Sequence, residues 1–206
     1  MKNQPGFCDS CHVRAALAVG GALFAMFHVA RAGAPANKVV AAIQVGSEPS
    51  PIVVSPDSST VYVGNYGSDA ISVISTATNS VSIAIPTDGL PLALAISPDG
   101  GTLYVSCINS ADNGTIDVIS TATDTKTSVM TLGSNGAGQL AVTPDGSQLW
   151  CPVNETMYIV DTATEQVIGT FGNFGPTGYG AGTLVFTPDG ADAYVLEIGN
   201  PAPANF

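Results

Sequence analysis

Three groups of residues have the types and spacing that chemistry would need. Cys8-Asp9-Ser10-Cys11-His12 reads CxxCH, the pattern in which two thiols take the vinyl groups of haem and the histidine ligates its iron. It stands before an apolar run from Ala15 to Phe27, whereas haem attachment follows export, so its position works against that chemistry. A zinc reading of the same CxxC lacks its other ligands. The second group is carboxylates, Glu48, Asp69, Asp112 and Glu197, which could serve a metal-assisted hydrolysis, although no convergent pair can be picked out along the chain. Calcium on loop carboxylates is a further option, without any EF-hand spacing to support it. The third group is polar and aromatic: Asn65, Tyr66, Asp69, Asn109, Asp112, Asn113, Asn154, Glu155, Phe174 and Tyr179. These side chains suit hydrogen bonding and stacking with a protein or small-molecule ligand rather than bond making.

Charge separates these options. The first 36 residues differ from the rest, because Lys2, His12 and Arg14 precede the apolar run while Ala30, Ala32, Gly33, Ala34 and Ala36 follow it. That is the layout of a secretory signal peptide, with cleavage after Ala32 or Ala36 satisfying the small-x-small rule. The run is short for a membrane span, and an uncleaved N-terminal anchor is the alternative. The 206-residue chain carries a net charge of −11; without residues 1–36 it keeps two cations, Lys38 and Lys126, against 15 carboxylates, and no His or Arg. Phosphate tracking requires Lys and Arg, which excludes nucleic acid as a partner. Anionic membrane surfaces are excluded beyond the leader for the same reason. His-based triads, copper sites and His-ligated haem need imidazole. The expectation is an extracytoplasmic protein (periplasm, cell surface or secreted), without catalysis and without a resident metal or cofactor.

The elements that must position the third group come from internal repetition. Ser/Thr-Pro-Asp recurs at Ser55-Pro56-Asp57, Ser97-Pro98-Asp99, Thr143-Pro144-Asp145 and Thr187-Pro188-Asp189, with prolines 42, 46 and 44 residues apart. Thr-Ala-Thr recurs in the same phase at Thr76, Thr121 and Thr162. Apolar runs Ile52 to Val54, Leu92 to Ile96, Leu140 to Val142 and Leu184 to Phe186 enter the Pro-Asp turns, where proline presets φ and the aspartate caps the turn. An aromatic follows each turn proline by six residues, at Tyr62, Tyr104, Trp150 and Tyr194, and marks a second strand. Third strands read Ile71 to Ile74, Ile116 to Ile119 and Met157 to Val160, and fourth strands Val81 to Ile85, Thr127 to Leu132 and Val167 to Phe171. The strands are apolar on both alternating faces, so each four-stranded meander must be covered on both sides. Radial stacking of such units is the β-propeller solution.

Val61-Tyr62-Val63-Gly64-Asn65, with Ser55-Pro56-Asp57 before it and Ile71-Ser72-Val73-Ile74-Ser75-Thr76-Ala77-Thr78 after it, resembles the YVTN β-propeller repeat of surface-layer and other exported proteins, which belongs with the WD40-like repeats. Leu103-Tyr104-Val105-Ser106 and Ala193-Tyr194-Val195-Leu196 are weaker copies. Leu149-Trp150-Cys151-Pro152 departs furthest, and Pro152 is expected to end its strand early. The resemblance covers residues 38 to 206 and implies an all-β propeller of about seven blades. Related propellers include lactonases, which keeps a hydrolase as one alternative function, and haem-linked electron transfer through Cys8, Cys11 and His12 is the second. Residues 37–206 supply a leading outer strand at Lys38 to Val45, three full units and two strands of a fourth. The chain is therefore either a fragment of a larger ring or half of a homodimeric one.

Alternation of strand direction puts the Pro-Asp and Thr-Ala-Thr turns on one rim. The second-to-third loops (64–69, 109–114, 154–156) and the unit-to-unit loops (46–51, 87–91, 133–138, 172–182) lie on the other. The copies differ there, and the third residue group lies there, so that rim is the expected binding surface. Cys107 and Cys151 sit on second strands of neighbouring units, too far apart for a disulfide if sheets pack about 10 Å apart, and are expected as free buried thiols. Asn113-Gly114-Thr115 and Asn154-Glu155-Thr156 are sequons that matter only in a glycosylating pathway.

Overall fold

The computed structural model describes residues 26–30, 39–111, 113–134, 138–154, 156–172 and 181–197. These residues contain strands and one 3-10 turn, and no α-helix. Two strands pair first, β1 (Met26–Ala30) with β2 (Val39–Gln44). A meander of β3 (Pro49–Val54), β4 (Thr60–Asn65), β5 (Ala70–Ser75) and β6 (Ser80–Pro86) follows. The second meander is β7 (Leu90–Ile96), β8 (Thr102–Ile108), β9 (Asn113–Ser120) and β10 (Thr125–Ser134). The third is β11 (Ala141–Val142), β12 (Gln148–Val153), β13 (Thr156–Asp161) and β14 (Gln166–Gly172). A final pair, β15 (Ala181–Phe186) and β16 (Ala193–Glu197), opens a fourth unit. All pairings are antiparallel and sequential.

The three full sheets are the expected four-stranded units, each strand within two or three residues of its expected range. The expected leading outer strand is β2. Its partner β1 falls in the segment expected as a leader, and pairs from Met26 opposite Gln44 to Ala30 opposite Val39.

The strands are held by burial on both faces. In the second sheet Leu103, Val105, Cys107 and Ile119 pack against Tyr62, Ile71, Val73 and Ile85 of the first. The alternate residues Tyr104, Ile116, Val118 and Met130 pack against Leu140, Leu149, Cys151 and Val160 of the third. Ile43 of β2 closes over Val61, Val63 and Ile74 on the other side of the first sheet. Met157 and Leu184 join the third sheet to the final pair, and Trp150 meets Phe186 edge-on with centroids 5.1 Å apart. Each large aliphatic side chain so enclosed contributes roughly 1.5–3 kcal/mol. Sheets stacked face to face in this way are blades. Cys107 and Cys151 are free and buried and lie in different inter-blade clusters.

One strand runs further than its sequence suggests. Pro152 is buried inside β12, which continues to Val153 with Pro152 opposite Met157. The Pro152 carbonyl accepts from Gly138 N–H at 3.3 Å, on the side away from β13. A strand residue points its N and C=O the same way, so the missing donor also faces that side, where β11 pairs only with Leu149 and Trp150. No ladder bond is lost.

The Pro-Asp turns repeat as a unit and touch one another. Asp57 Oδ1 accepts from the Ser55 and Ser59 hydroxyls and the Ser59 N–H. Asp99, Asp145 and Asp189 accept equivalently from Ser97, Thr143 and Thr187 and from the N–H two residues on. The glycine after each later turn has positive φ, +76° at Gly100, +78° at Gly146 and +71° at Gly190, and faces the turn proline of the preceding blade, Pro56, Pro98 and Pro144 respectively.

A Cβ at Gly146 would have to adopt this left-handed conformation, so Gly146→Ala is expected to destabilise by about 1 kcal/mol in urea unfolding. The turn hydroxyls hold Asp57 at about 2 against an ordinary 3.8 and lower Asp99, Asp145 and Asp189 in the same direction. Because the folded carboxyls bind fewer protons than the unfolded ones, this stabilisation is complete above about pH 4 and is lost as pH falls from 3.8 towards 2. An acid titration followed by circular dichroism should show a shallower loss in that window once Asp57 and Asp99 are replaced by Asn.

Candidate functional site

The rim opposite the Pro-Asp turns is built from the chain entering each first strand and the turn between second and third strands. At the first blade, β4 ends in the 3-10 turn Tyr66–Ser68, closed by Asp69 at φ 45°. The segment before β3 is tied onto this turn. Tyr66 N–H donates to the Glu48 carbonyl at 3.0 Å and Gly67 N–H to Ser47 O at 3.1 Å, while the Ser68 hydroxyl oxygen accepts from Ser47 N–H at 2.8 Å. Glu48 itself takes φ 49°. On the far side Thr87 N–H donates to Asp69 O at 2.9 Å, which fixes the crossing from the first blade to the second. Between these loops lies a solvent-open cleft of about 410 Å³, lined by Glu48, Pro49, Ser50, Tyr66, Pro91 and Leu92. The Glu48 carboxylate has no hydrogen bond or ion pair among the described residues.

The residues expected on this rim divide. Tyr66 is exposed and lines the cleft, and Asp69 closes its turn. Asn65 does not serve as a surface contact: it is 1% exposed, and its amide donates to the Val63 and Ala70 carbonyls and the Ser72 hydroxyl, holding the turn from within. Asn109 is likewise structural, its Oδ1 accepting from Ala111 and Asn113 N–H at 3.0 and 3.1 Å. Asn113 and Asn154 are exposed at the corresponding turns of the second and third blades. Asp112, Glu155, Phe174, Tyr179 and the Cys8, Cys11, His12 triplet lie outside the described residues. Of the carboxylates weighed for hydrolysis, Glu48 lines the cleft, whereas Glu197 ends β16 in the last unit. Among the described residues no three His, Cys, Asp or Glu side chains are grouped as a metal site.

A second polar feature was not expected. Asp117 of β9 is fully buried. Its Oδ2 accepts from the Asp88 N–H at 2.9 Å and lies 3.6 Å from Lys126 Nζ, and Lys126 also donates to Asp88 Oδ1. Burial pushes the Asp117 carboxyl up, against the opposing pull of the Asp88 N–H and the Lys126 charge. For Lys126 burial acts downward, but its two carboxylate partners outweigh it and raise the ammonium. Burial first, and then the Asp117 charge, pushes the neighbouring Cys107 thiol well up, and burial alone pushes Cys151 up to about 12. Neither thiol is poised as a nucleophile. A lone Asp between isoleucine and valine in an apolar strand was the available signal, but its partners come from a loop 29 residues earlier and a lysine on the next strand.

No protein-family model and no curated protein matches this chain. Solved structures do. The chain is similar to Kuenenia stuttgartiensis hydrazine synthase, at 26% identity and a TM-score of 0.74 over 92% of this chain and 58% of that one. It is a partial β-propeller. The RRP9 WD40 repeats (18% identity, TM-score 0.57, 62% of this chain and 39% of that one) and U3-55K (18%, 0.56, 62% and 40%) share the fold. The chain thus spans less than two thirds of each of these three solved chains.

Removing the cation from this enclosed group leaves Asp117 charged and buried, so Lys126→Met is expected to destabilise the propeller by about 2–4 kcal/mol, with much of the loss recovered in Lys126→Met/Asp117→Val. Asp117 has a folded pKa above its unfolded one, so its contribution falls as pH rises from 3.8 through the raised value. The Lys126→Met variant should therefore gain stability as pH is lowered through that range, as read by urea midpoints at a series of pH values.

Proposed function

We propose that this propeller is an exported, non-catalytic binding or scaffolding module that engages a protein or ligand through the rim carrying Tyr66 and Glu48. The observation that carries the reading is the cleft itself. Two blades and two unit-to-unit crossings converge on it, and its lining mixes one aromatic ring, two prolines, a leucine, a serine and a carboxylate. Such a surface offers area and orientation for recognition. The opposite rim offers less, because its hydroxyls and carboxylates are already bonded to one another and to the backbone. From residue 39 onward the chain contains no His or Arg, and both described thiols are buried and protonated at neutral pH, which favours recognition over catalysis. Export is supported by the leader-like pattern of residues 1–36.

A photo-crosslinking amino acid at Tyr66, compared with one at the exposed Ser59 on the opposite rim, tests this in the host that exports the protein. Adducts are expected from position 66 and not from 59. Equal labelling from both positions, or labelling from 59 alone, would overturn the assignment of the rim.

A further inference from the structure

Resting on that reading of the rim, we infer that the cleft between the first two blades receives a lysine or arginine side chain from a protein segment lying across the rim. Three observations converge on a cationic occupant with an aliphatic stem. The Glu48 carboxylate lines the cleft with no partner among the described residues. The Tyr66 ring lies beside it and is 37% exposed, and the face of an aromatic ring attracts a cation held near it. Pro49, Pro91 and Leu92 supply apolar walls against which methylene groups can lie.

The surrounding field selects the same sign. Beyond Lys38 the chain has a single cation, Lys126, against 15 carboxylates, and Lys126 is bound to Asp88 and Asp117. No uncommitted positive charge remains among the described residues to neutralise Glu48, so an anionic segment is repelled and a basic one is drawn in. The occupant is a side chain rather than an enclosed molecule, because the cleft is open to solvent along the rim. Ser50 adds a hydroxyl-bearing side chain to the lining.

The test is a titration of the 15N-labelled full chain with the capped peptide acetyl-Gly-Lys-Gly-amide, and with the same peptide carrying norleucine or glutamate in place of lysine. The lysine peptide is expected to shift the amide signals of residues 47–50, 66–68 and 92, with norleucine and glutamate peptides at least fivefold weaker. Glu48→Gln and Tyr66→Ala should each weaken lysine binding about fivefold. Asp192→Asn, which removes the same charge from the opposite rim, should leave it unchanged and so separates a local contact from the general field. Shifts confined to other residues, equal binding of the norleucine peptide, or equal losses in Glu48→Gln and Asp192→Asn would each overturn the inference. Because crosslinking from Tyr66 does not depend on a cation, its persistence alongside any of these results would leave the rim assignment standing and reject only the basic side chain.

Discussion

Every sheet of this protein exists because another sheet covers it. The inner strands have no wet face: in β8, Val105 and Cys107 turn to the first blade while Tyr104 turns to the third. A four-stranded meander of that composition on its own would expose one apolar layer whichever way it lay, and small sheets gain independent stability only through such a partner. The described ends of the stack bear this out. Val185, Tyr194 and Leu196 on the last strands are 54–64% exposed, and Ile52 and Val54 on the first blade are 46–48% exposed, whereas their counterparts in the middle of the stack are far more enclosed.

Two apolar faces create a difficulty that ordinary sheets avoid. Where one face is wet, polarity fixes the register, since a one-residue slip puts the core residues in water. Here a slip exchanges one apolar set for another, and register must be set by turns and by side-chain size. The Pro-Asp turns meet that need locally, through carboxylates that accept from the hydroxyl two residues before and the N–H two residues after. The Thr-Ala-Thr turns are tied to them, because Thr121 Oγ1 donates to Gly100 O and Thr162 Oγ1 to Gly146 O, both at 2.6 Å. Contacts of each proline with the next blade's glycine carry the same register around the stack. One rim is therefore committed to holding the blades in phase, which leaves the other free to differ from copy to copy.

What could be read from the sequence follows that division. The turn motifs and the aromatics six residues after each proline are local signals, and the strands, the unit boundaries and the two rims were legible from them. The same spacing places Tyr62, Tyr104, Trp150 and Tyr194 on second strands, but not their burial: Tyr62 and Tyr104 are buried, whereas Tyr194 is 64% exposed. Long-range facts were not legible. Asn65 has the composition of a surface ligand contact, yet Ser72 on the next strand and the carbonyls of Val63 and Ala70 draw its amide inward. Pro152 breaks a strand rule only if its missing donor faces a ladder, and the shortness of β11 is not written in the proline's neighbours. The Asp88, Asp117 and Lys126 group joins a crossing loop to two strands of the following blade. Its members are unremarkable one at a time.

That group also bears on how so acidic a chain stays compact. With one lysine past residue 38, carboxylates cannot be balanced by ion pairs, and self-repulsion opposes folding. The structure deals with the buried and the exposed carboxylates differently. Asp117, the one fully buried carboxylate among the described residues, takes the cation and a backbone N–H, because an unpaired charge there would carry the full desolvation penalty. The exposed turn aspartates make do with neutral donors, serine and threonine hydroxyls and backbone N–H groups, which lower their pKa without adding positive charge. The neutral donors thus stabilise the turn carboxylates in their ionised form while leaving the net charge intact, whereas burial at Asp117 still outweighs its partners.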